Sequence, residues 1–218
     1  MSDSRSNGSL VHSGAELCRA EIVWILLHGR GATAQDILGP VSEMREEGVA
    51  YLAPQAAANS WYPHSFLAPT EQNEPWLSSA IARVDSVVRF CVEEGLSRNR
   101  IIVSGFSQGA CLATEYVAQH PARYGALIAF TGGLIGPPGA DLHHRGSLHG
   151  TPVLLSSGDP DAHVPWARVE TSASELERMG ARVKLMCFPG RPHSILREEI
   201  EEARRMIFSL LQAKPGSR

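Results

Sequence analysis

The chain has 218 residues, 43% of them hydrophobic and 20% charged, which suits one domain able to bury its own core. Its formal net charge is −3, from 20 Lys and Arg against 23 Asp and Glu, so nothing draws it to nucleic acid or an anionic membrane. The same composition excludes disorder, collagen, coiled coil and a membrane span.

Residues 1–20 are rich in Ser and Gly and lack the apolar stretch of a secretory signal. They are expected to form a flexible or peripheral segment ahead of a single domain over 21–214, in a cytoplasmic protein. Short apolar runs then predict strands at Ile22–His28, Val49–Ala53, Ile101–Gly105, Ala126–Phe130, Val153–Ser157 and Val183–Phe188. Their continuous apolarity suits a sheet covered on both faces. Between them, Leu77, Ile81, Val84, Val88 and Cys91 form one stripe of a helix ending near Gly95, with Trp76 and Leu77 as core. A last helix from about Ser194 carries Glu198, Glu199, Glu201 and Glu202 before Arg204 and Arg205, an order that suits the helix dipole and reads as a solvated face. Strands alternating with helices give an α/β fold with a mainly parallel sheet.

Two connections are long, Pro54 to Pro75 and Gly132 to Gly150, yet neither is long enough for a helical lid domain. The cysteines Cys91, Cys111 and Cys187 sit in apolar stretches and read as buried hydrophobes, and with Cys18 they show no metal-ligand spacing. His143, His144 and His149 occupy a Gly-rich loop with only Asp141 as a nearby carboxylate, a poor metal site.

The sharpest signal is Gly105-Phe106-Ser107-Gln108-Gly109, a G-x-S-x-G sequence between an apolar strand and a small-residue helix. That context is what a nucleophile elbow requires, because so tight a turn leaves no room for side chains beside the serine. A serine nucleophile needs a base and the base an orienting carboxylate, in the chain order Ser, acid, His. The loop after the fifth strand run supplies Asp159, Asp161 and His163, and the loop after the sixth supplies His193 as base. Either aspartate can fill the acid position on spacing alone. The backbone N–H of Gln108 and that of Arg30, in His28-Gly29-Arg30-Gly31, are the candidate oxyanion donors. His28 reads as a structural residue bonded to loop backbone. The Arg30 side chain is either solvated or directed at an acidic substrate group. Trp61, Tyr62 and Phe66 either wall an acyl pocket or pack their loop onto the sheet, and they stand with His163 as candidate substrate contacts.

Together these residues resemble the phospholipase/carboxylesterase family of α/β hydrolases, which includes the acyl-protein thioesterases. The matching stretches are Leu27 to Gly31, Gly105 to Gly109, Gly158 to Asp161 with Val164-Pro165, and His193-Ser194. The resemblance implies a lid-poor serine hydrolase with Asp161 as the catalytic acid. Arg30 and the stretch Trp61-Tyr62-Pro63-His64 depart from the thioesterase branch and look more like bacterial carboxylesterases. The expected activity is hydrolysis of small carboxylic esters, by a monomer or homodimer that needs no metal or organic cofactor. Rival readings are a thioesterase or lysophospholipase acting on longer acyl chains, and a sensing protein that has lost turnover. A dienelactone-type hydrolase would carry Cys where Ser107 stands.

Overall fold

The computed structural model describes residues 9–42 and 46–213. Seven strands form one sheet: β1 (Leu10–Gly14), β2 (Ile22–Leu27), β3 (Val49–Pro54), β4 (Ile101–Phe106), β5 (Ala126–Phe130), β6 (Pro152–Asp159) and β7 (Arg182–Pro189). Their order is β1-β3-β2-β4-β5-β6-β7, with β1 antiparallel to β3 and every other pair parallel. Among the described residues five α-helices flank the sheet: α1 (Ala34–Ser42), α2 (Trp76–Glu93), α3 (Gln108–Gln119) and α4 (Trp166–Arg178) connect strands, and α5 (Arg197–Gln212) follows β7.

Alternation along β2 explains why its sequence is apolar throughout. Val23, Ile25 and Leu27 pack into one core with α2, α3 and α4, while Ile22, Trp24 and Leu26 pack into a second core with α1 and α5. All six residues are buried. The α2 stripe Leu77, Ile81, Val84, Val88 and Cys91 is buried as its spacing predicts. All six expected strands are present, and β1 is a seventh. The segment expected to be flexible or peripheral thus contributes the sheet's edge, pairing Leu10 with Pro54 through to Gly14 with Ala50. Residues 1–8 lie outside the described residues.

Three expectations are overturned. Trp76 is 55% exposed, because it precedes the buried stripe and faces away from the core that holds Leu77. Cys187 is exposed on β7, an edge strand with only β6 beside it. Glu199 and Glu202 of α5 are buried, so only part of its charge run is a solvated face. Glu202 pairs with Lys184 of β7 at 2.7 Å. Glu199 accepts from Arg191, from the Ser156 hydroxyl and from the Leu196 N–H at 2.6 Å. The Arg191 and Glu199 side chains are 3% and 0% exposed. Hydrogen bonds offset the cost of burying such a pair: Glu199 accepts three and Arg191 donates through both Nη atoms, while its buried Nε has no partner among the described residues.

The connection from β5 to β6 is anchored by His144. Its Nε2–H donates to Glu115 of α3 at 3.0 Å and its Nδ1–H to the Leu142 carbonyl at 2.8 Å. Only the imidazolium can donate from both nitrogens, and the Glu115 bond, against the opposing effect of burial, holds the His144 pKa above its ordinary value. A raised histidine pKa adds stability that is complete below the unfolded value of about 6.5 and is lost as pH rises through the folded value. His144→Gln should therefore lower the urea midpoint most near pH 5.5, with the gap from wild type closing toward pH 9. A gap that does not change with pH would show that this pair does not titrate with folding.

Candidate active site

At the end of β4 the chain reverses into α3 within one residue. Ser107 occupies that turn with φ 53° and ψ −116°, a strained backbone for a residue with a side chain. The turn is possible because of its flanking glycines. A Cβ on Gly105 would lie 2.3 Å from the Gly109 carbonyl carbon, and one on Gly109 would lie 2.2 Å from the Leu27 oxygen. The Ser107 N–H is held by the Phe130 carbonyl of β5 at 3.0 Å.

Three sequence-predicted side chains meet in a line. The Ser107 hydroxyl lies 2.8 Å from His193 Nε2, and His193 Nδ1 lies 2.9 and 3.1 Å from the two Asp161 oxygens. Nδ1–H donates to the carboxylate, which leaves Nε2 free to accept the serine proton. Asp161 also accepts the N–H groups of His163 and Val164, both at 2.9 Å. Burial works to raise its pKa, but these bonds and that from His193 outweigh it and hold the carboxyl below its usual range. Asp159, the other candidate, is exposed at the end of β6, and its carbonyl rather than its carboxylate bonds across, accepting from the Gly190 N–H at 3.0 Å.

The His193 loop is fixed by the buried Arg191–Glu199 pair. Arg191 donates to the Ser194 carbonyl at 2.8 Å and to the Thr131 hydroxyl, bridging the loop to the end of β5. Glu199 holds the Leu196 N–H, so the loop is pinned on both sides of His193. This pair was not singled out in the sequence; the only signal is an Arg two residues before the histidine and a Glu six after it.

On the other side of Ser107, Gln108 is the first residue of α3, so its N–H has no intrahelical acceptor. Arg30 lies in a turn closed by the Ala32 N–H to the Gly29 carbonyl at 3.2 Å, with Gly31 at φ 78°. The side chains of both residues hold the 60–64 segment. Gln108 Oε1 accepts the Trp61 N–H at 3.0 Å, and Gln108 Nε2 donates to the Tyr62 carbonyl at 2.7 Å. The Arg30 guanidinium donates to Ser60 Oγ at 3.1 Å, to the Pro63 carbonyl at 2.8 Å and to the His64 carbonyl at 2.6 Å. Neither expectation for this side chain anticipated that brace.

An open cleft of about 780 Å³ lies over Ser107 and His193. Tyr62, Phe66 and His163 line it, and the His163 ring meets that of His193 edge-on at 4.8 Å. Cys111 forms part of its floor, with burial pushing the thiol pKa up to about 12. Trp61 does not line it, a correction to its candidate role. Its Nε1–H is turned to the His28 carbonyl at 2.8 Å, and its ring borders a separate cavity of about 350 Å³ with Trp76. His28 is buried and structural: Nδ1–H donates to the Gly29 carbonyl and Nε2 accepts the Ala56 N–H. Burial lowers its pKa, in keeping with the neutral ring. Among the described residues no helix is long and apolar enough to cross a membrane.

Comparison with known proteins agrees with this architecture. The family model for phospholipase/carboxylesterase matches residues 10–211. A phospholipase/carboxylesterase of Dyadobacter fermentans, known from its crystal structure, is 44% identical with a TM-score of 0.88, covering 93% of this chain and 96% of that one. A probable carboxylesterase, SOBER1-like, of Arabidopsis thaliana is 23% identical over 97% of this chain and 87% of its own length. The acyl-protein thioesterase 1 of Gibberella zeae is 27% identical over 56% of this chain, a match spanning about half of that protein (53%). The chain belongs to the phospholipase/carboxylesterase family and is an esterase of the α/β-hydrolase fold.

Proposed function

We propose that this esterase is a serine carboxylesterase of small carboxylic esters that works through an acyl-enzyme on Ser107. The observation that carries the reading is the continuous line from the Asp161 carboxylate through His193 to the Ser107 hydroxyl. In the first step Ser107 Oγ attacks the ester carbonyl while His193 Nε2 takes its proton. Asp161 keeps the imidazole in the Nδ1–H form and stabilises the cation that develops. The N–H groups of Gln108 and Arg30 receive the oxyanion, with the α3 N-terminus adding its favourable dipole. His193 then protonates the departing alkoxide. Water, activated by the same nitrogen, attacks the acyl carbon and releases the acid, so every proton moves among Ser107, His193, substrate and water.

Tyr62, Phe66 and His163 would contact the substrate, and the cleft's volume falls in the range of small-molecule sites. The 60–64 segment is tied to Gln108 and Arg30, which favours a preformed wall over a closing lid. The thioesterase relative motivates a second reading, hydrolysis of long acyl chains.

p-Nitrophenyl esters from acetate to palmitate separate the two. The proposal expects kcat/KM to peak at short chains and fall above about C6 to C8, with Ser107→Ala losing on the order of 10⁵-fold in kcat. A maximum at palmitate would favour the long-chain reading. For the acid, Asp161→Asn should lower kcat on the order of 10⁴-fold, as in other serine hydrolases, while Asp159→Asn stays within about tenfold of wild type. The opposite ranking would overturn the assignment of Asp161.

A further inference from the structure

The cleft over Ser107 carries an unusual charge balance. The chain has 23 Asp and Glu residues, yet among the described residues no acidic side chain lines the cleft. Its basic side chains are Arg30, His64, His163 and His193, beside neutral polar ones such as Ser65 and Gln108. Arg30 is the guanidinium among them, a cation whose planar fork of donors matches a carboxylate.

The Arg30 side chain is also fixed in place. Its three bonds run to neutral acceptors, the Ser60 hydroxyl and the Pro63 and His64 carbonyls. Among the described residues it has no carboxylate within ion-pair distance, so its positive charge is oriented but not neutralised. Three of the five guanidinium N–H donors are committed, which leaves the Nε–H and one on Nη2. Two donors are what a carboxylate takes from arginine in a forked pair. A charge already held by the protein also loses little side-chain entropy on binding an anion. A role confined to bracing the loop would need the hydrogen bonds but would not call for a cleft free of acidic side chains.

We propose that Arg30 forms an anion subsite, and that the preferred substrates are esters bearing a free carboxylate a few bonds from the scissile carbonyl. This rests on the esterase reading of Ser107 and narrows it from small esters in general to half-esters and carboxylate-bearing esters. Hydrolysis is unchanged in its chemistry: the ester C–O bond is cleaved by water, and the remote carboxylate neither gains nor loses a proton. Arg30 acts here in binding, through its side chain, apart from the proposed role of its N–H.

The test uses two pairs of substrates and their neutral counterparts. Monomethyl adipate against dimethyl adipate places the carboxylate on the acyl portion; 4-acetoxybenzoate against methyl 4-acetoxybenzoate places it on the alcohol portion. The readout is the ratio of kcat/KM for anion over neutral ester, in wild type, Arg30→Met and Arg30→Lys. Taking the ratio cancels any general loss from disturbing the 60–64 segment, which both esters of a pair feel alike. The ratio for at least one pair should fall about tenfold or more in Arg30→Met, through KM, with partial retention in Arg30→Lys. It should also fall in wild type as salt is raised from 0.05 to 0.5 M. An unchanged ratio in Arg30→Met for both pairs overturns the subsite. Whatever the ratio, fluorophosphonate labelling of Ser107 with turnover of the neutral esters leaves the esterase reading standing, whereas absence of both removes the esterase reading itself. If turnover is absent, calorimetric titration of adipate decides the subsite: equal binding to wild type and Arg30→Met, or none to either, overturns it.

Discussion

The Leu27 carbonyl of β2 sits where a side chain at position 109 would have to be. That close approach lets α3 start directly against the end of β2, and the rest of the site follows from it. With Gly105 equally crowded by the Gly109 backbone, β4 can pass into α3 only through a residue at positive φ, and that residue is Ser107. The helix N-terminus, the serine and the turn after β2 are thereby set side by side at the C-terminal ends of parallel strands. Open α/β sheets place their sites at such ends.

Around this point the two walls are held by different physical means. Toward β2 the bracing is polar and partly exposed: Gln108 and Arg30 reach from the two sides of the serine to the same 60–64 segment. The groups proposed to bind the oxyanion and the wall proposed to meet the substrate are therefore mechanically one unit. Toward β6 and β7 the bracing is buried and ionic. Arg191 and Glu199 lie between the histidine loop, the end of β5 and the start of α5, where leaving either charge unpaired would be costly. A loop pinned on both sides keeps His193 Nε2 within 2.8 Å of the serine hydroxyl. Such fixed placement is the condition for proton transfer without a prior search for geometry.

Much of this was legible in the sequence, and the exceptions share physical causes. The five inner strands, β2 to β6, announce themselves because a strand buried on both faces must be apolar at nearly every position, and the edge strand β7 is readable only because Val183, Leu185, Met186, Cys187 and Phe188 keep its run largely apolar although much of it is exposed. β1 does not, since Leu10-Val11-His12-Ser13-Gly14 is an edge strand with one partner and a mixed face. The serine, the histidine and the oxyanion loop are readable because tight turns and strand ends constrain residue type locally. The choice of Asp161 over Asp159 depends on how the loop folds back, and spacing alone leaves it open. Side chains acting at long sequence separation were the hardest to read. Arg30 bonds a segment thirty or more residues away, Trp61 turns to His28, and Glu199 is buried within a run of charges that resembles a solvated helix face.

The central claim is that Ser107 is the one nucleophile of this fold. Titrating the protein with a fluorophosphonate, while following intact mass and esterase turnover together, tests it most directly. The account predicts a single adduct, located on the peptide carrying Ser107, with activity lost in proportion to labelling. Turnover that survives complete labelling of Ser107, or an adduct at another residue that alone abolishes turnover, would contradict it.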